Sequence, residues 1–176
     1  MVNFSSAVDR LSKTIATLAN WLVLASVLIS ALNAVARYAL NLSSNAFLEI
    51  QWQLFGAVVL LGAADALRTN NHVRVDLIYG AVSPRVRLWI DIFGLTVFLI
   101  PVSAYLSWLS LPQFLMSFAS GEASSNAGGL IVWPVKLLLP VGFGLLVLQG
   151  LSELLKRILA LARANGAVAA YERPLQ

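Results

Sequence analysis

Few residues in this chain could do chemistry. Its one histidine, His72, stands four residues before Asp76. An imidazole and a carboxylate could fill two positions around a divalent metal, but a stable site takes three or four ligands. With no cysteine in the chain, thiolate metal sites, iron–sulfur clusters, disulfides and thiol nucleophiles are excluded together. His72 lies among Asn70, Asn71 and Arg74, and the simpler role for this stretch is a polar link. A second constellation is Arg37, Glu49 and Lys136, three ionisable residues in an otherwise almost uncharged part of the chain. A carboxylate between two cations would offset the desolvation of all three. It would serve as an anion site, as a dock for an acidic surface, or as a structural cluster tying three helices together. The structural cluster is the expected role, because ionisable residues within a membrane usually pair with one another. Trp52, three residues after Glu49, joins this group as an interface candidate.

The elements that hold these residues are set by composition. Hydrophobic residues make up 59% of the 176 and charged residues 11%, against about 25% charged in an ordinary soluble domain. Mean hydropathy is +0.81, so lipid is the expected solvent. A helix needs about 20 apolar residues to cross the hydrocarbon layer. Four segments meet this, at about 15–38, 49–67, 86–118 and 129–160, and the whole chain forms one four-helix membrane domain, all-α, with a short tail at 164–176. The third and fourth spans exceed the bilayer requirement and must tilt, kink or protrude. Pro101, Pro112, Pro134 and Pro140 are candidate kinks, and Ser83-Pro84 has the form of an N-cap followed by a first-turn proline. Ala34-Val35-Ala36 resembles a signal-peptide cleavage site. The long apolar stretch before it and Asp9 within the basic flank favour a retained span.

Charge sets the expected orientation. Arg10 and Lys13 precede the first span. Arg68, Arg74, Arg85 and Arg87 flank the link between the second and third, and Lys156, Arg157, Arg163 and Arg173 end the fourth or follow it. Ten of the twelve basic residues thus fall on one side, and the positive-inside rule places both termini in the cytoplasm. Trp21 and Trp89 fall near the inner boundary and Trp52, Trp108 and Trp133 near the outer one, as interfacial belts. Arg68, His72, Arg74, Asp76, Arg85 and Arg87 are then candidate membrane anchors, placed to meet anionic phospholipid headgroups. The charge is split among short stretches, not gathered on a folded domain, which argues against nucleic-acid binding.

Inside the spans, Asp65/Arg68, Arg87/Asp91 and Glu153/Arg157 have the spacing of local helix pairs. Ser26, Ser30, Asn33 and Arg37 share one face of the first span, and Thr96, Ser103, Ser107 and Ser110 form a second polar row on the third. Such faces should touch protein, not acyl chains. Gly62 and Ala66 form a small-xxx-small pair that permits close helix approach.

The stretch "RYALNLSSNAFLEIQWQLFGAVVLLGAADALRTNNHVRVDLIY" resembles the signature region of the small membrane subunit of TRAP transporters, the DctQ type. The matching features are Arg37-Tyr38, Glu49, Trp52, Gly62-Ala63-Ala64, Arg68 and His72-Val73-Arg74-Val75-Asp76. "SSNAGGLIVWPVKLLLPVGFGLLVLQGLSELLKR" resembles the mannitol/chloroaromatic branch. One departure is Ala46-Phe47-Leu48-Glu49, where a single acid replaces the usual pair. The resemblance implies a bacterial inner-membrane importer in three parts. A periplasmic solute-binding protein captures a small organic acid or related solute, and a large membrane subunit moves it with sodium by an elevator motion. The small subunit is a non-enzymatic scaffold without cofactor, and it helps dock the binding protein. Two rivals weigh against this. A stand-alone four-helix exporter would need a deep carboxylate in the first span, where Asn33 and Arg37 stand instead. A membrane anchor of a redox enzyme would need haem ligands within the spans, where no histidine falls.

Overall fold

The computed structural model describes residues 2–42, 44–70, 82–126 and 128–162, and these are helical almost throughout. Helix α1 is Val2–Ala39, and α2 is Asn45–Arg68. The third span is α3, Pro84–Phe93, followed by a π-helical segment at Gly94–Leu99 and then α4, Ile100–Ser120. The fourth is α5, Trp133–Ala162. All four spans are long and apolar enough to cross a membrane, so the chain is a multi-pass membrane protein, as its composition requires.

Local chemistry accounts for the boundaries. The Ser44 hydroxyl accepts the Ala46 amide and opens α2 four residues ahead of Glu49. Pro84 opens α3 at its first turn, but the Ser83 side chain makes no capping bond. The expected kink at Pro101 takes the form of the π segment directly before it. There the Ile100 amide bonds back to the Leu95 carbonyl, five residues earlier. Pro101 offers no amide and its ring crowds the preceding turn. A one-residue widening absorbs both faults. Gly121 ends α4 in the left-handed region at φ 62, and the Glu122 amide returns to the Ser117 carbonyl at 3.1 Å. This is a Schellman stop, in which glycine carries no Cβ penalty.

Helix α5 is the hub. It packs on α1, α2, α3, the π segment and α4, whereas the third span has extensive contact with α5 alone. A third of its most apolar window (33%) is buried, against 6%, 11% and 11% in the other spans. Small residues make this possible. A Cβ on Gly142 would lie 2.9 Å from Leu60 Cβ and 3.0 Å from the Leu60 carbonyl oxygen. The α2 backbone therefore runs directly over this glycine. On another side, a Cβ on Gly150 would meet Leu99 Cδ2 at 2.8 Å. Ser103, Ser110 and Ser117, spaced by seven residues, are the buried positions of α4. The Ser107 hydroxyl donates to the Pro140 carbonyl at 3.0 Å. The close approach expected at Gly62 does not occur, since a Cβ there would meet nothing within 4 Å. Gly142 has that role on a different helix.

These contacts predict opposite outcomes for two Gly→Ala changes. Gly142→Ala must displace backbone and should cost about 1–3 kcal/mol. Gly62→Ala should be neutral or stabilising by about 0.5–1 kcal/mol, the helix preference of alanine over glycine. Thermal unfolding in detergent, followed by circular dichroism, distinguishes the two.

Candidate interaction sites

Two polar assemblies stand out, one at each end of the spans. The one at the end where α1 begins, termed inner after the expected orientation, is built on one face of α5, where Gln149, Ser152, Glu153 and Lys156 follow helical spacing. Gln149 has no exposed surface. Its carbonyl oxygen accepts the Ser12 hydroxyl at 2.8 Å. Its amide nitrogen donates to Asp9 at 3.0 Å and to Glu153 at 3.2 Å. The Lys156 ammonium donates to both Asp9 oxygens at 2.9 and 2.8 Å and to Glu153 at 2.7 Å. One turn away, Ser5 and Ser152 hydroxyls meet at 2.7 Å. Arg157 then reaches the third span. Its Nε donates to Asp91 at 2.9 Å, while its Nη1 bonds Glu153. The network thus fastens α1 and α3 to α5 through side chains that are mostly out of contact with the surroundings.

This geometry revises the simple helix-end pairs. Glu153 and Arg157 do pair locally, but Arg157 also bridges to Asp91 and Glu153 is shared with Lys156 and Gln149. Asp65 and Arg68 pair at 2.7 Å, as their spacing implied, and Arg68 also lies near enough to attract Asp9. Sequence reasoning missed Asp9, Ser12 and Gln149 as partners because α1 begins at Val2 and not near Ile15. The signal was present: Ser5, Asp9 and Ser12 follow i, i+4, i+7, the same rule that exposed the outer polar row.

At the other end, Arg37, Glu49 and Lys136 do not come together. Lys136 pairs with Glu122. Glu49 is buried, at 2% exposure, and one of its oxygens accepts the Leu130 amide at 3.2 Å while the other has no partner among the described residues. Arg37 is exposed in the last turn of α1, with no ion pair to a described residue. The reason is placement. Glu49 is one turn into α2 and meets a loop amide directly ahead of α5, whose N-terminal dipole favours a negative charge. Lys136 has a stem long enough to reach the link instead. Trp52 is half-exposed. The outer link is further closed by a bridge between Ala123 and Ile131, with Ser124 N to Leu130 O at 2.9 Å and Val132 N to Glu122 O at 3.0 Å. The Lys136 ammonium beside Glu122 holds its carboxyl below the usual carboxylate range.

Of the remaining candidates, Arg85 is exposed on the first turn of α3, and Arg87 Nε donates to the Val82 carbonyl at 3.1 Å. His72, Arg74, Asp76 and the tail at 164–176 lie outside the described residues. Among the described residues, no three of His, Cys, Asp or Glu converge as metal ligands.

Arg157→Ala would remove the bridge from α5 to Asp91 and one of the partners of Glu153, and should cost up to about 3–5 kcal/mol, the penalty for halving a buried ion pair. Lys156→Ala should cost less, because the Lys156 side chain is 37% exposed against 15% for Arg157. Melting of the two variants in detergent ranks them. For Glu122 the folded-state pKa lies below the unfolded one, so the Lys136 link contributes above the unfolded value and is lost as pH falls through the folded value. The stability difference between wild type and Glu122→Gln should therefore be small at neutral pH and vanish in acid, which paired melts at the two pH values will show.

No curated protein matches the chain. The family model described as "Tripartite ATP-independent periplasmic transporters, DctQ component" matches residues 26–160 of the 176, which takes in all or part of every span, the outer polar assembly and the α3 and α5 members of the inner one, while Ser5, Asp9 and Ser12 precede it. The chain belongs to the DctQ component family of tripartite ATP-independent periplasmic transporters.

Proposed function

We propose that this chain is the non-catalytic small membrane subunit of a three-part importer, bracing a large elevator-type permease and helping to dock a periplasmic solute-binding protein. The single observation that carries this is the family match across residues 26–160. The side-chain chemistry supports it. Asp9, Asp91, Glu153, Lys156 and Arg157 are engaged with one another across α1, α3 and α5, and that is the use expected of a fixed part. A subunit that moved ions would need an acid free to change partners at mid-membrane.

In this reading the solute is a small organic acid or a related compound, and the mannitol/chloroaromatic-like branch is the closest description. Sodium is coupled on the large subunit and this chain holds no cofactor. The chain resides in a bacterial inner membrane with both termini cytoplasmic, as the basic residues imply. Arg68, His72, Arg74, Asp76, Arg85 and Arg87 meet phospholipid headgroups on that side. The elevator domain needs a stationary counterpart. A third span of 37 residues would reach about 55 Å at 1.5 Å per residue, and it broadens that counterpart. The outer link from Ser120 to Asn126, fixed by Glu122–Lys136 and Glu49–Leu130, is the part offered to the binding protein.

Proteoliposomes provide the test. Large subunit, binding protein and this chain together should take up solute, and omission of this chain should abolish or sharply reduce uptake. This chain alone should move nothing. Crosslinks from single cysteines at Ser120–Asn126 should capture the binding protein. Uptake by this chain alone, or a Soret band in the purified protein, would instead favour the exporter or the redox anchor.

A further inference from the structure

The two ends of the bundle treat their buried amides differently. At the inner end, Gln149 has no exposed surface and both polar atoms of its side chain are bonded. Its oxygen accepts Ser12, and its nitrogen donates to Asp9 and Glu153. At the outer end, four buried side-chain atoms have no hydrogen bond to a described residue. They are Asn33 Oδ1 on α1, and Glu49 Oε1, Gln51 Nε2 and Gln53 Nε2 on α2. A fifth such atom, Ser117 Oγ, has the Glu122 carboxylate beside it. An unpaired buried donor or acceptor is costly, and native proteins leave few of them.

Backbone geometry sorts the four into two pairs. Glu49 and Gln53 stand at i and i+4 on the face of α2 that turns to α5. Leu60, on the same face, lies over Gly142, and the Glu49 carboxylate takes the Leu130 amide ahead of α5. Gln51 lies toward the opposite side of α2. There α1 packs as the antiparallel neighbour, with Leu22, Ile29, Asn33 and Ala36 on its half-buried face. Asn33 is six residues before the end of α1 at Ala39, and Gln51 is six residues after the start of α2 at Asn45. The two therefore share one level. Each pair combines one acceptor oxygen with one amide N–H, and neither is bonded directly. A single water meets both needs at once, donating to the oxygen and accepting from the N–H, and buried waters hold such otherwise unsatisfied groups. Nearby charges offer no substitute. Lys136 is engaged with Glu122, and Arg37 is exposed with no ion pair to a described residue. A carboxylate taken out of bulk water needs its remaining lone pairs met. The outer surface is close, since Glu49 and Gln53 stand about 6 and 12 Å along α2 from its start at 1.5 Å per residue.

We infer that the outer end of α2 is seated on two bound waters, one bridging Glu49 and Gln53 on the α5 side and one bridging Asn33 and Gln51 on the α1 side. The outer link is then fixed to α2 through a hydrated carboxylate, whereas α1 and α3 are fixed to α5 by direct ionic contacts. The inference stands apart from the proposed function. Its test is magic-angle-spinning NMR on the full chain, isotope-labelled at its glutamine side chains, in bilayers of chain-deuterated phospholipid. Magnetisation starts on water protons and its arrival at each side-chain amide is timed. Gln51 and Gln53 should receive it several-fold faster than Gln149, whose amide is bonded within the chain. Glu49→Leu should slow transfer to Gln53 several-fold and leave Gln51 unchanged, and Asn33→Leu should do the reverse. The unaffected glutamine in each variant reports that the bundle still folds, and the wild-type comparison holds without either variant. Gln51 and Gln53 amides as slow as Gln149 in the wild type would overturn the inference, because those side chains would then bond within the protein. Fast transfer that survives Glu49→Leu and Asn33→Leu undiminished would also overturn it, because the water would then come from the headgroup layer and not from the two bridges.

Discussion

A polar side chain in a membrane must find a partner in protein, and this chain meets that demand mainly on one helix. Gln149 has no exposed surface and bonds to Ser12, Asp9 and Glu153. Around it, Lys156 and Arg157 divide themselves among Asp9, Glu153 and Asp91. With these groups in place, α1 and α3 are fixed in register against α5. The apolar surfaces alone could not do this, since lipid tails are as apolar as leucine and supply no hydrophobic drive between helices. Close packing supplies the rest. Gly142 admits α2 to backbone contact and Gly150 admits the widened turn before Pro101. The arrangement is a central helix with neighbours on several sides, and the third span leans on that centre alone.

This division of labour fits a component of a larger membrane assembly. Much of the outward surface of α1, α2 and α4 is large and apolar, including Trp21, Phe55, Tyr105 and Trp108, suited to lipid or to another subunit. Asp9, Asp91, Glu153, Lys156 and Arg157 are paired with one another across helices. What the inner network gives is fixed geometry, and what it withholds is any group free to change partners with a passing ion.

Hydropathy and the basic residues were enough to read four spans from the sequence, because a helix in lipid must satisfy its own backbone and be apolar over most of its length. Local pairs such as Asp65–Arg68 were legible for the same reason: spacing on one helix decides them. What could not be read was every choice between helices. Lys136 had two acids within plausible reach and took Glu122, leaving Glu49 to a backbone amide. Asp9 looked like an interruption in a basic flank until α1 proved long enough to carry it alongside α5. Gly62 carried the small-residue signature, yet the tight crossing fell at Gly142, because such pairs specify what a helix permits and not which neighbour arrives.

On the proposed function the chain works as a rigid part. Its lack of cysteine allows spin labels at two exposed positions, Leu18 on α1 and Tyr105 on α4, with the large subunit and binding protein reconstituted around it. Dipolar distance measurements with and without solute and sodium should give one unchanged distribution. A distribution that shifts or splits between those conditions would show the two halves moving against each other, and would contradict a role as a brace.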